Sequence, residues 1–189
     1  MVEQPILLDV PDELATARLH MRCPRAGDGE VVHASVLESV AALRRFPASL
    51  PWAIAEPTVD ASETYCREAH ARFVRREALS YLVFLRQSRE HVGNVAIHDV
   101  DWSVPKGELG YWCRSRLAGQ GLMSEAVLAL TELGMSLGLR RIQALTDDEN
   151  AASCRLLERV GYSLEGVLRH ERSAPAGEPR NTRVYARIR

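Results

Sequence analysis

The run Arg116-Leu117-Ala118-Gly119-Gln120-Gly121 puts two glycines behind an arginine, and Leu122-Met123-Ser124-Glu125-Ala126 comes directly after. Neither glycine carries a Cβ, so the backbone can come close to a ligand. A helix opening here adds unpaired N–H groups and the positive end of its macrodipole. Together these suit an anion, best a phosphate or pyrophosphate. The spacing excludes two common phosphate loops. Ser124 stands where the dinucleotide fingerprint needs its third glycine, and there is no Gly-Lys-Ser/Thr of a nucleotide-triphosphate loop. A strand-to-helix turn that holds glycine for geometry alone is the competing reading.

Such a loop needs a strand before it and a helix behind it. Leu109-Gly110-Tyr111-Trp112-Cys113 is an apolar strand-like run, and Leu122, Ala126, Leu130, Leu133 and Leu137 recur at helical spacing until Gly138. Residues 141–146 read as the next strand. Asn150 then caps a helix that buries Leu156, Leu157 and Val160 and closes at Gly161. Strands over 162–168 and 183–188 flank a polar, Pro/Gly-rich loop at 173–181.

Upstream, residues 1–16 read as a lead-in. Residues 17–23 alternate, with Leu19, Met21 and Cys23 on one face and Arg18, His20 and Arg22 on the other, as a half-buried strand does. Asp28 is placed to cap a helix running towards Phe46, and Pro47, Pro51 and Pro57 make the next stretch irregular. Trp52, in that irregular link, packs between helices or lines a pocket. Asp60 and Glu63 have the spacing of a capping box for a helix carrying Tyr65, Ala69 and Phe73. Residues 80–86 and 92–100 form a hairpin, and 108–113 makes it a meander. The order predicts an α/β (α+β) chain with a mixed central sheet of about seven strands and helices on both faces. The strand–helix–strand unit over 109–146 should be parallel and right-handed. The length of 189 residues suits one domain, 1–189.

A net charge of −1 argues against a non-specific nucleic-acid binder. No apolar run approaches the length of a membrane span, and no basic-then-apolar signal region opens the chain. Cys23, Cys66, Cys113 and Cys154 form no Cys-x-x-Cys pair, so no metal site is expected and a reduced, cytoplasmic protein is. A homodimer is compatible with all of this; the sequence sets no oligomeric state.

The Arg-x-x-Gly-x-Gly stretch resembles the acetyl-CoA loop of the GNAT acetyltransferases, whose signature is Gln/Arg-x-x-Gly-x-Gly/Ala. The element order is similar to the whole GNAT fold. Several stretches resemble the branch that contains the ribosomal-protein N-terminal alanine acetyltransferases: residues 16–22, Glu108-Leu109-Gly110-Tyr111-Trp112, Gly119-Gln120-Gly121-Leu122-Met123, Glu149-Asn150-Ala151-Ala152-Ser153 and residues 161–169. That branch also acetylates small amines, amino acids and antibiotics. The resemblance implies that the strands at 109–113 and 141–146 splay apart around the pantetheine arm of acetyl-CoA. Trp112 and Cys113 would offer it backbone groups. Backbone N–H groups of Leu117, Ala118, Gly119, Gln120, Gly121 and Leu122 would hold the pyrophosphate, with Arg116 and Met123 completing the cofactor-binding set. Asn150 and Ser153 match an Asn-x-x-Ser that approaches the thioester region, although Asn150 is also simply a good helix cap.

The implied reaction is attack of a neutral primary amine on a thioester, the amine being a protein N-terminus or a small molecule. A proton must leave the amine and another must reach the departing sulfur. Some members of the family use a tyrosine for the second task. The helix of Asn150 shows Ser153 and Cys154 instead, which makes Ser153 the candidate donor. Glu171, after Leu168-Arg169-His170, is the first candidate base. Glu108, at the mouth of the central strand, is the second and His98 the third. A non-catalytic acyl-CoA-binding or regulatory module with the same fold is the alternative, and a scaffold for another phosphate ligand is a further one.

Overall fold

A computed structural model of the chain describes residues 4–46 and 50–189. The chain enters through a short strand, β1 (Glu13–Ala15), that pairs antiparallel with β2 (Leu19–Arg22). Strand β1 lies inside the expected lead-in: three residues with only a single, half-buried side chain give almost no alternation to detect. Leu19 and Met21 of β2, and Cys23 directly after it, are buried as the alternation predicts. Two helices come next, α1 (Gly29–Leu43) and α2 (Val59–Val74), joined by a link that includes a 3-10 turn at Pro51–Ile54. Pro47, read as the first helix breaker, lies outside the described residues.

The acidic residues expected to cap α1 and α2 are drawn instead to partners on other elements. Asp28 does occupy the cap position of α1, but its carboxylate caps nothing. It instead takes two hydrogen bonds from the Arg22 guanidinium, at 2.6 and 2.7 Å. Burial alone would raise its pKa, and the bonds from Arg22 and the Arg25 amide outweigh that and hold it below the usual carboxylate range. The start of α1 is closed by Glu63 of α2, which accepts from the amides of Gly27 (2.9 Å) and Gly29 (3.0 Å). Glu63 is thus unavailable for a capping box with Asp60. Thr58 caps α2, accepting from the Ala61 amide at 3.0 Å.

The meander β3 (Leu79–Leu85), β4 (His91–Asp101) and β5 (Lys106–Cys113) leads into α3 (Leu122–Ser136), β6 (Arg141–Asp147), α4 (Ala151–Arg159), β7 (Ser163–Ser173) and β8 (Pro179–Ile188). Among the described residues eight strands form one sheet in the order β1-β2-β3-β4-β5-β6-β8-β7, in keeping with the mixed sheet of about seven that the sequence predicts. Strand β8 starts at Pro179, inside the expected loop, because β7 and β8 pair as a hairpin as far as Ser173 and Pro179. Among the described residues only β5 and β6 run parallel, as the helix between them requires.

The alternation of side chains sorts the two faces. Leu82, Phe84 and Trp112 pack with Val32 and Val36 of α1 and Cys66 of α2. Residues of opposite parity, Tyr81, Val83 and Leu109, join Leu19 and Met21 under Ala126 and Leu130 of α3. A Cβ on Gly134 would stand 2.8 Å from Ile97 and 3.0 Å from Ile142. Glycine there lets α3 lie close over β4 and β6. Fully burying a side chain such as Leu130 contributes roughly 1.5–3 kcal/mol, so this face holds the loop end of α3 in place.

Candidate functional site

The parallel pair β5–β6 holds for three residue pairs, Lys106↔Arg141, Gly107↔Ile142 and Glu108↔Gln143, and then stops. Beyond it, residues 109–113 of β5 remain paired with β4 but not with β6. A wedge therefore opens in the middle of the sheet, and its wide end meets the loop at 114–121. The Arg114 amide donates to the Val92 carbonyl at 2.7 Å. Antiparallel ladders alternate in the direction of their backbone groups. The N–H and C=O of Trp112 are accordingly turned to β4, whereas those of Tyr111 and Cys113 face the wedge. Of the two residues expected to offer backbone groups there, Cys113 is so placed and Trp112 is not; its indole lies on the α1/α2 face.

The loop consists of a 3-10 turn at Ser115–Leu117, then Gly119 and Gly121 with φ of 77° and 73°. Both angles lie in the left-handed region, where a side chain is strained. A Cβ on Gly119 would meet nothing within 4 Å, so this side of the loop is open. Gly121 is the cap residue of α3, and no side chain closes that helix end. Leu117, Leu122 and Met123 turn their side chains into the core, which leaves the backbone as the surface of the cradle. Gln120 hydrogen-bonds the Arg116 carbonyl at 3.3 Å, and Ala118 continues the turn.

Two arginines behave otherwise than their positions suggest. The guanidinium of Arg116 is held by Glu38 of α1 and by Glu90, beside Arg114, which binds Glu38 at 2.6 Å. Its charge is committed to this network. Arg18, expected only on the exposed side of a strand, reaches the loop instead. It donates to the Gln120 carbonyl at 3.0 Å and to Glu125 at 2.7 Å, and lies 3.6 Å from where a Gly121 Cβ would be. Glu125 also accepts from Thr16 at 2.5 Å, so the N-terminal strand fastens the first turn of α3. Only the long-range packing of β2 against that turn reveals Arg18; its local alternation does not.

Across the wedge, the hydroxyl of Tyr111 on β5 meets the hydroxyl of Ser153 on α4 at 2.6 Å. The Ser153 amide donates to the Asn150 side chain at 3.1 Å, so Asn150 caps α4 and fixes Ser153 in place. Burial pushes the Tyr111 hydroxyl far above the ordinary tyrosine pKa, so it stays protonated. The helix of Asn150 itself carries no tyrosine at this end. The structure supplies one from the facing strand, where the sequence shows it only as part of an apolar run. Alternation along β5 is the available signal, since it separates Tyr111 from Trp112.

The carboxylates lie apart. Glu108 is the last β5 residue paired with β6, at the vertex of the wedge, and accepts from Gln143 at 2.9 Å. It shares the α1/α2 face with Gly110 and Trp112, and His98 stands opposite it on β4. His98 hydrogen-bonds Asp99 at 2.9 Å. Glu171 is on β7, two strands beyond β6, where it accepts from Thr182 at 2.9 Å and from Arg172 at 3.0 Å. None of its contacts joins it to Tyr111, Ser153 or Glu108. Above Glu108 the face becomes aromatic: Trp52 stands 6.3 Å from Trp112, and His91 5.8 Å from it.

Comparison with known proteins gives one family. A profile described as "Acetyltransferase (GNAT) domain" matches residues 18–163. The uncharacterized N-acetyltransferase YoaA of Bacillus subtilis is 30% identical over 120 residues, covering 63% of this chain and 67% of that protein. Two solved structures share the fold. The microcin C7 self-immunity acetyltransferase MccE, in complex with acetyl-CoA and AMP, has a TM-score of 0.86 at 17% identity, covering 95% of this chain and 98% of that one. The ribosomal L7/L12 α-N-protein acetyltransferase RimL, in complex with coenzyme A, has a TM-score of 0.85 at 23% identity, covering 93% and 96%.

Proposed function

The chain belongs to the GNAT acetyltransferase family, and from that premise we propose that it moves the acetyl group of acetyl-CoA to a primary amine by direct attack on the thioester. The observation that carries this is the wedge. Parallel pairing ends at Glu108↔Gln143, beside a loop whose two glycines lie in the left-handed region and whose open side admits a ligand. Acetyl-CoA supplies an activated acyl carbon there. The backbone of Tyr111 and Cys113 holds the pantetheine arm, and the amides of residues 117–122 hold the pyrophosphate. Arg18, paired with Glu125 and bonded to the Gln120 carbonyl, steadies that side of the loop.

Tyr111 and Ser153 act on the α3/α4 side of the wedge. The tyrosine keeps its proton and, with Ser153, donates to the sulfur as it leaves. Glu108, on the opposite face, takes the proton of the amine, either directly or through water. Its position at the vertex supports this role over Glu171, which lies two strands away with its oxygen engaged by Thr182. The acceptor enters over the α1/α2 face and is a protein N-terminus or a small amine. All of 1–189 serves as one domain, since strands from both ends of the chain join one sheet. The four cysteines are unpaired, which supports a reducing, cytoplasmic setting.

The test has two arms. Calorimetry with acetyl-CoA, CoA and ATP should show binding of the first two only. Thiol release over a panel of amines and N-terminal peptides should then find an acceptor. Binding without release on any acceptor would favour a regulatory acyl-CoA-binding module, and no binding would remove the reading.

A further inference from the structure

Three consecutive residues at the entrance to the loop are tied to two consecutive residues of α1. The Ser115 amide donates to the Ser39 hydroxyl oxygen at 3.0 Å, and Ser39 is fully buried. On either side of Ser115, Arg114 and Arg116 each donate through Nε to the same oxygen of Glu38, at 2.7 and 3.2 Å. Both guanidiniums also lie against Oε1 of Glu90, in the turn between β3 and β4. That oxygen is buried and makes no hydrogen bond, so Glu90 acts there through its charge.

The helix is a firm anchor. Val32 and Val36 seat α1 on the sheet against Leu82 and Trp112, and Glu63 of α2 closes its first turn. The backbone that follows residues 114–116 has little else to shape it. Gly119 and Gly121 take left-handed φ, and no atom lies within 4 Å of where a Gly119 Cβ would be. Glycine loses more conformational freedom on ordering than any other residue. The chain is held again downstream, where Arg18 donates to the Gln120 carbonyl. A loop ordered in advance binds more tightly than one that must be ordered by its ligand.

We propose that Glu38 and Ser39 of α1 are positioning residues that hold the cofactor loop in its binding shape without being cofactor ligands themselves. The choice of ligand rests on the acetyl-CoA reading. The expected effect runs against simple charge. CoA is a polyanion, so free guanidiniums at positions 114 and 116 would attract it, and removing the Glu38 carboxylate would then tighten binding. In the structure Arg114 and Arg116 instead fasten the loop entrance to α1, with Glu38 and Glu90 balancing their two charges. Loss of the Glu38 charge undoes both arginine contacts with α1 at once, so the loop loosens and binding weakens.

The test is Glu38→Gln, at a partly exposed position, with Ser39→Ala as the second variant. In ligand-free wild type, backbone relaxation of the Gly119 and Gly121 amides should give a rigid order parameter of about 0.85, falling towards about 0.6 in Glu38→Gln. CoA affinity, read by calorimetry, should fall about tenfold with its dependence on salt unchanged. With an active acceptor, KM for acetyl-CoA should rise while kcat stays put. Ser39→Ala should move the same readouts in the same direction. Glycines as rigid in Glu38→Gln as in the wild type, or an unchanged CoA affinity, would overturn the inference. So would tighter CoA binding with a steeper salt dependence, which would make Arg114 and Arg116 phosphate ligands that Glu38 restrains. Wild-type protein that binds no CoA would remove the acetyl-CoA reading, and the order parameters of the two glycines would then decide by themselves whether α1 holds the loop.

Discussion

Replacing Tyr111 by phenylalanine separates chemistry from packing at the centre of the wedge. The ring stays, and only the hydroxyl that meets Ser153 at 2.6 Å is lost. As a structural bond between neutral groups it stabilises the fold by about 1 kcal/mol, a fall of roughly 2–4 °C in melting temperature for a domain of this size. As a proton donor to the leaving sulfur it is worth about a hundredfold to ten-thousandfold in rate, or roughly 3–5 kcal/mol of barrier. The two roles differ enough to be told apart. The assays are thiol release against pH with any active acceptor, calorimetry with acetyl-CoA, and thermal melts. We expect kcat to fall by at least about a hundredfold, with acetyl-CoA affinity nearly kept. Because burial raises the Tyr111 pKa, the wild-type rate should not decline near pH 10 through loss of this proton. Ser153→Ala should cost less, since water can replace its hydroxyl. A variant that keeps its kcat while its melting temperature drops would refute the acid role and leave the bond a clasp between β5 and α4. A loss of cofactor affinity equal to the loss of rate would instead make the hydroxyl pair part of the binding site.

Gly119→Glu should abolish the rise in melting temperature that saturating acetyl-CoA gives the wild type, because the new side chain enters the open side of the loop and repels phosphate; an unchanged rise in a folded variant would make the loop a mere turn. Glu108→Gln should lower kcat by about a hundredfold or more, with the deficit shrinking as pH rises and the amine loses its proton unaided. Glu171→Gln should leave kcat near wild type, and the reverse pattern in a thiol-release assay would move the base to β7. His91 is neutral when folded, with a pKa of about 4, and protonates near pH 6.5 when unfolded. Its contribution is thus complete above pH 6.5 and is lost as pH falls towards 4, by up to about 3 kcal/mol. Melting temperature against pH should show that slope in the wild type and a flatter one in His91→Gln.

The sequence by itself determined the loop, the order of the elements after it and the family. Those features are local. Two glycines before a helix, leucines at a spacing of three and four, and Asn150 at a helix start all act through their neighbours in the chain, and the structure returns each where it is expected. Capping is legible only in part: Thr58 and Asn150 use their own helices, whereas Asp28 and Glu63 are drawn to partners on other elements. The proposed catalytic pair depends on tertiary structure. Tyr111 and Ser153 are 42 positions apart and become partners only because β5 and β6 stop pairing and α4 packs across the gap. Arg18 joins the loop because β2 lies against the first turn of α3. His91 and Asn94 reach one face through a bulge that reverses the parity of β4, and parity is the rule by which a strand is read from sequence. Local periodicity reports which way a side chain points within a regular element. Where two elements part, or one gains a residue, the neighbours are set by the packing of the whole sheet.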